Sequence, residues 1–416
     1  MLDDLRGFIE AVEQLGECKR VENADWNLEI GSIAEVAGEM PNQPMLLFDP
    51  IKGYPKGYRI ITNAFATPRR MALAMDFPEM TSEEELVRYW RKRLQEDLKP
   101  VPPIEVKTGP VMENVLTGDE VDLFKFPVPK WHKLDGGRYI GTGDTVIMRD
   151  PDEGWINLGV FRTQIHDKKT ATIYISPGHH GRIIREKYWA MGKPCPVVVT
   201  CGQAPIVFFA AGAPSAWGSS EYDYAGWLRN KPVEVVKGIV TGLPIPATAE
   251  IALEGEIVPP EVESRDEGPF GEWTGYYASN IRPEAACRVK AILHRNNPII
   301  LACPPFMNLR ASQGGNMRKV AELWNELESL VPGIKKVWAL EDAKGLYIPV
   351  VSVKQMYPGH AKQVGLAVTS SRAAAYHGRF VIVVDDDIDP NKTSEVLWAL
   401  ATRCDPATAL EIVTGC

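Results

Sequence analysis

The chain has 416 residues, is 45% apolar and 24% charged, and carries a net charge of −8. At ~150 residues per domain this predicts two or three globular domains. The acidic balance argues against a generic nucleic-acid binder, and no apolar run reaches the roughly 18 residues that span a bilayer. The seven cysteines (Cys18, Cys195, Cys201, Cys287, Cys303, Cys404 and Cys416) show no CxxC spacing, which fits reduced, mostly buried thiols in a cytoplasmic protein. The N-terminus MLDDLRGFIEAVEQLG lacks the basic and apolar regions of a secretory signal.

Residues 1–114 read as a mixed α/β region. Leu2, Leu5, Phe8, Ile9 and Val12 have helical spacing, and Gly16 is a natural stop. Two short strands are expected around the Gly/Pro turn in 44–65, and Ser82 with Glu85 forms a capping-box pattern ahead of another helix. KPVPPIEVKTGP then reads as a linker.

Residues 115–305 turn β-rich. Strands are expected in TVIMRD, NLGVFRTQIH, TATIYIS, PCPVVVTCG, PIVFFAAG, AEIALEGEIV and ACRVKAILHRNNPIIL, with helices in GRIIREKYWAMG and SEYDYAGWLRN. Short strands with frequent turns suggest a barrel or sandwich rather than repeated βαβ units. Residues 306–416 alternate again, with strands in KKVWAL, YIPVVSVK and FVIVVDDD between helices. This predicts an α/β domain with a largely parallel sheet. The expected fold class is therefore a multidomain α+β or α/β protein.

Several segments carry groups capable of chemistry. Glu267 and Glu272 lie five apart on the loop EGPFGE, where two carboxylates can share a cavity and divide into one ionised and one protonated group; composition alone favours a solvated turn. Asn157 and Arg162 frame NLGVFR and fall on opposite faces of a strand unless a bulge intervenes, while Gly159 leaves room for close approach to a ligand. His179 and His180 sit on a Gly-flanked turn at a helix start, suited to a metal or phosphate or merely exposed. Glu221 is either a hard-metal ligand or a carboxylate favoured in a helix's first turn. Asp385, Asp386, Asp387 and Asp389 end a strand, where a metal cluster competes with a structural strand end. No HEXXH, P-loop or GxSxG is present, and no GxGxxG opens a helix.

Taken together, Arg162, the Glu267–Glu272 pair and the Asn157, His180, Glu221 spacing resemble the UbiD-like decarboxylases, the hydroxybenzoate branch in particular. EYDYAG, AEIALEGEI, EGPFGEWTGYY, HRNNPI, VVDDDIDP and WALATR extend the likeness over nearly the whole chain. The resemblance implies a central split β-barrel of the flavin-reductase type flanked by α/β regions. It also implies prenylated FMN, Mn²⁺ (or Mg²⁺) and K⁺. By position it assigns catalysis to Arg162, Glu267 and Glu272, the metal to Asn157, His180 and Glu221, and cofactor contacts to Val160, Phe161, Arg162, Tyr174, Ile175, Ser176 and His179, with Ala211, Gly212 and Ala213 nearby. Thr142 and Trp273 align with the substrate pocket, and Arg310 is either a surface arginine, the reading its loop position favours, or a reader of a second anionic group.

The implied reaction is reversible decarboxylation of an aromatic or heteroaromatic, first of all phenolic, acid through a covalent flavin adduct. The implied partners are the acid, CO₂, a flavin prenyltransferase that supplies the cofactor, and further copies in a homodimer or homohexamer. Family members usually continue past WALATR with a phosphate-binding Lys and a C-terminal dimerisation helix, which this sequence is expected to lack. Two competing readings are an accessory subunit of an aromatic carboxylase and a flavin-independent metal hydrolase.

Overall fold

A computed structural model describes residues 2–308, 316–340, 348–374 and 378–414. The described residues divide into two compact units: residues 2–79 with 98–306, and residues 80–97 with 307–308, 316–340, 348–374 and 378–414.

In the first unit, helix Leu5–Gln14 buries Leu5, Phe8, Ile9 and Val12 at the expected spacing, and the Asp4 side chain accepts from Gly7 N–H to cap it. Met45–Phe48 and Arg59–Thr62 form an antiparallel pair. Cys18–Val21 joins the first of these in parallel and Ile299–Leu301 the second. The expected strand over 286–301 is thus two strands, Arg282–His294 and Ile299–Leu301, in different sheets. Within the expected linker, Ile104–Glu105 pairs in parallel with Glu234–Lys237.

A ten-stranded sheet fills the centre of this unit. Its path runs Arg138–Gly141, Thr163–Ile165, Thr170–Ile173, Arg282–His294, Ile251–Ile257, Cys195–Cys201, Asp144–Arg149, Ile156–Gly159; Asn114–Thr117 and Ser264–Glu267 also pair with Arg282–His294. Topology forces this sheet to curl. Gly141 lies at one end of the path and Asp144 next to the other, yet only Thr142 and Gly143 join them. Gly159, on the strand at the far end, and Thr163, on the strand next to the near end, are joined by Val160, Phe161 and Arg162 alone. Four Cα steps cover at most about 14 Å, so the two ends must face each other across a narrow seam. The inward residues, among them Val146, Ile173, Val197, Leu253 and Ile292, are almost fully buried, each worth about 1.5–3 kcal/mol relative to exposure.

One expected strand is a helix. Pro205–Ala211 is α-helical, with Pro205 in the first turn, where its missing N–H costs nothing. A fully apolar run of this length has no periodicity to separate buried strand from buried helix.

In the second unit, Ser82 and Glu85 form the capping box of helix Glu83–Leu94. That helix packs on Met317–Leu330, where the Arg91 guanidinium lies 4.0 Å over the Trp324 ring and bonds Asn325 and Glu328. The sheet here is mixed, not largely parallel. Pro349–Val353 runs parallel to Ile382–Asp385 but antiparallel to Ile334–Ala339. The segment from Ala339 to Pro349 is too short for the crossover a parallel pair needs. The acidic cluster is taken up by cations: Arg403 pairs with Asp385 and Asp387, and Lys336 with Asp389. Among the described residues no helix is long and apolar enough to cross a membrane.

Candidate active site

The two connections across the seam of the curled sheet carry Thr142, Val160, Phe161 and Arg162. The three-residue bridge is Val160–Arg162, so the ladder is interrupted between Asn157 and Arg162 and strict alternation no longer governs their relative directions. The space beside Gly159 is taken by Phe161, whose ring would lie 2.4 Å from a Cβ there. Gly159 therefore leaves room for the Phe161 ring.

Arg162 is held on three sides. Its Nε and Nη2 donate to the two oxygens of Glu267 at 2.7 and 2.8 Å. Nη1 donates to Glu272 at 3.0 Å, and Nη2 also to Ser279 Oγ at 3.3 Å. The Arg162 side chain is 8% exposed, that of Glu267 0% and that of Glu272 23%. Burial disfavours the Arg162 charge, but the paired carboxylates outweigh it and its pKa is raised. The bidentate edge is thus committed to Glu267, and an incoming carboxylate would meet the Nη1 side shared with Glu272. Burial is also the main cause of a raised pKa at Glu272. Arg162 opposes the rise, and Glu267 and Asp135 add to it.

Several neighbours were not evident in the sequence. Tyr139 Oη lies 3.0 Å from Gln164 Oε1 and 3.4 Å from Glu267, and Gln164 accepts from Gly268 N–H. Arg282 sits opposite Glu267 in the strand register, with Nε 3.6 Å from its carboxylate and the guanidinium 3.7 Å over the Tyr174 ring. Arg162 lies 4.4 Å from the same ring. Gln164 lies two residues from Arg162 within the segment NLGVFRTQIH, expected from sequence as one strand, and is the one neighbour that alternation could have suggested; the cross-strand partners carry no local signal.

Asn157, His180 and Glu221 gather around strand Ile156–Gly159. Asn157 lies on it and is buried. His180 and Glu221 each open a helix, His180–Ala190 and Glu221–Arg229, and both helices pack on this strand. Glu221 Oε2 accepts from Leu158 N–H at 2.7 Å. The His180 ring lies edge-on to Trp155 and Trp217. Burial pushes the Glu221 carboxyl up to about 7. A buried carboxylate, an amide and an imidazole on three elements that pack together make a nitrogen/oxygen donor set of the kind a hard divalent cation takes, so their chemistry fits such an ion.

Tyr174, Ile175 and Ser176 follow strand Thr170–Ile173, with Tyr174 N–H donating to Arg162 O. The Phe161 and His179 rings are 5.6 Å apart, edge to face. Ala211 ends helix Pro205–Ala211, with Gly212 and Ala213 just beyond. Thr142, on the other seam connection, accepts from Cys303 N–H. Trp273, next to Glu272, is half-buried. Arg310 lies outside the described residues.

Family models for the N-terminal, Rift-related and C-terminal domains of 3-octaprenyl-4-hydroxybenzoate carboxy-lyase match residues 9–90, 104–307 and 315–416 in that order, and the chain belongs to this UbiD family of carboxy-lyases. Among its relatives, a phenolic acid decarboxylase of Sedimentibacter hydroxybenzoicus is 33% identical, over 99% of this chain and 86% of the relative. A pyrrole-2-carboxylic acid decarboxylase of Pseudomonas aeruginosa is also 33% identical, over 97% and 83%. The solved vanillic acid decarboxylase of S. hydroxybenzoicus, in closed form, superimposes with a TM-score of 0.83 at 31% identity, covering 98% of this chain and 86% of that one. An evolved dimeric form of the UbiD-class enzyme HmfF from Pelotomaculum thermopropionicum, in complex with prFMN, gives 0.85 at 30% identity, covering 98% and 91%.

Proposed function

We propose that the chain catalyses reversible, non-oxidative decarboxylation of an aromatic or heteroaromatic carboxylic acid, phenolic acids first, with prenylated FMN as cofactor. The carrying observation is the Glu267–Arg162–Glu272 chain of contacts: a buried cation locked by one carboxylate and shared with a second whose proton affinity is raised. The decarboxylase names of the relatives and the prFMN bound by the HmfF form support the same reading.

Loss of CO₂ from an aromatic ring leaves electron density that no side chain accommodates, and the flavin supplies that sink when bound. The protein's tasks are then to bind, orient and protonate. Glu267 fixes the Arg162 plane. Arg162 Nη1 receives the substrate carboxylate while Glu272 is neutral. Glu272 then gives its proton to the ring carbon that has lost CO₂ and regains one from water.

In this reading the curled sheet is a split barrel of the flavin-reductase type. Val160, Phe161, Arg162, Tyr174, Ile175, Ser176 and His179 hold the flavin, with Ala211–Ala213 close by. Asn157, His180 and Glu221 hold Mn²⁺ or Mg²⁺, while K⁺ rests on the family resemblance alone, as do the prenyltransferase partner and a homodimer or homohexamer. Thr142 and Trp273 border the substrate, where the indole suits stacking on an aromatic ring. Co-expression with a flavin prenyltransferase, followed by an absorption spectrum and a panel of acids, tests the reading. It expects a flavin-like spectrum and turnover of aromatic acids by the isolated chain; turnover of aliphatic acids only, or none, overturns it.

A further inference from the structure

The loop bearing Glu272 is gripped by a segment outside the proposed catalytic set, residues 132–139. Asp135 is at its centre, with a fully buried side chain. One Asp135 oxygen accepts from His132 N–H at 2.8 Å and the other from Gly271 N–H at 2.9 Å, one residue before Glu272. Gly136 N–H donates to Pro269 O at 2.8 Å, and a Cβ on Gly136 would lie 2.0 Å from Gly268 O, so the two backbones approach as closely as glycine allows. Leu134 N–H donates to Tyr277 Oη on the far side of the loop. Glu272 itself is tied down by its own N–H to Tyr276 O and by Arg162.

We propose that Asp135 is the positioning residue for Glu272: its carboxylate clamps the acidic loop at Gly271 and places a second negative charge beside the acid. The inference rests on the reading of Glu272 as the proton donor and adds to it the device that keeps this acid in place and loaded. The charged or titratable groups around Glu272 are Arg162, Glu267 and Asp135, with His132 against the Gly271 backbone, Tyr139 on Glu267 and Tyr277 on Leu134. Of these Arg162 favours the ionised form, while Glu267 and Asp135 favour the protonated one. Asp135 is the carboxylate of the two that is not committed to Arg162.

Position and charge separate in two variants. Asp135→Asn keeps an oxygen for Gly271 N–H, gives up the acceptor for His132 N–H and removes the charge; Asp135→Glu keeps the charge but lengthens the arm. The titration of Glu272 is followed by ¹³C NMR of glutamate-labelled, flavin-free protein, with the resonance assigned by its loss in Glu272→Gln. Asp135→Asn should lower the Glu272 midpoint; an unchanged midpoint overturns the charge role. Asp135→Glu should hold the midpoint yet reduce kcat of the loaded enzyme about tenfold or more, at unchanged flavin content; wild-type kcat overturns the positioning role and does so even if Asp135→Asn fails to fold. Because the titration needs no turnover, failure of Glu272 as donor is seen separately, as activity retained in Glu272→Gln.

Discussion

Arg162 turns its Nε–Nη2 edge to Glu267 and a single Nη1 hydrogen bond to Glu272, so one guanidinium joins a locked carboxylate to a second with raised proton affinity. A lysine has one ammonium point charge and cannot serve both partners. Arg162→Lys should therefore lower kcat/KM by about 100-fold, the loss of one to two charge-assisted hydrogen bonds at about 1.5–3 kcal/mol each. Glu267→Gln should act in the same direction, because an amide offers only one acceptor to the fork. Near-normal turnover in either variant, measured on protein of equal flavin content, would count against these roles.

The metal assignment predicts linked losses. If the ion held by Asn157, His180 and Glu221 also ties down the cofactor phosphate, His180→Ala should lose metal and flavin together. Metal analysis and the absorption spectrum of the same preparation check this. Stoichiometric flavin in a metal-free variant would break the link.

Asp144 offers a test of stability at the seam. It is fully buried, accepts from Thr163 Oγ1 at 2.9 Å, and burial pushes its pKa up to about 7 from 3.8. The folded chain thus keeps this proton over a range where the unfolded chain has lost it. This group's contribution is fully favourable below about pH 4, declines as pH rises toward 7, and beyond that remains a fixed penalty. Asp144→Asn removes the penalty while leaving an oxygen for Thr163. Its Tm relative to wild type should therefore be several degrees more favourable at pH 8 than at pH 4.5; an equal change at both pH values contradicts the assignment.

Much of this architecture was legible in the sequence because it rests on local rules. The helix at Leu5–Gln14 and the capping box at Ser82–Glu85 follow from spacing and side-chain chemistry within a single turn. The run over 205–211 was misread because an apolar stretch opened by proline has no period to read. The parallel sheet of the second unit failed at Ile334–Ala339, whose direction is set by the length of a connection. At the site, Arg162, Glu267 and Glu272 stood out as a family pattern. Asp135, Tyr139 and Arg282 did not, because they reach the pair through strand register and a neighbouring loop over more than a hundred residues or across a hairpin. The commitment of the Arg162 fork to Glu267 is likewise a property of tertiary geometry.

The account's central claim is that Glu272 delivers the proton that replaces CO₂. Its raised pKa, due mainly to burial, keeps it protonated further up the pH scale than a free glutamate. The most direct measurement is exchange of solvent deuterium into the aromatic product at the carbon that carried the carboxylate, compared between wild type and Glu272→Gln at equal flavin and metal content. The account predicts exchange in the wild type and its loss in the variant, since an amide has no such proton to give; exchange at the wild-type rate in Glu272→Gln would contradict it and assign the proton to another group.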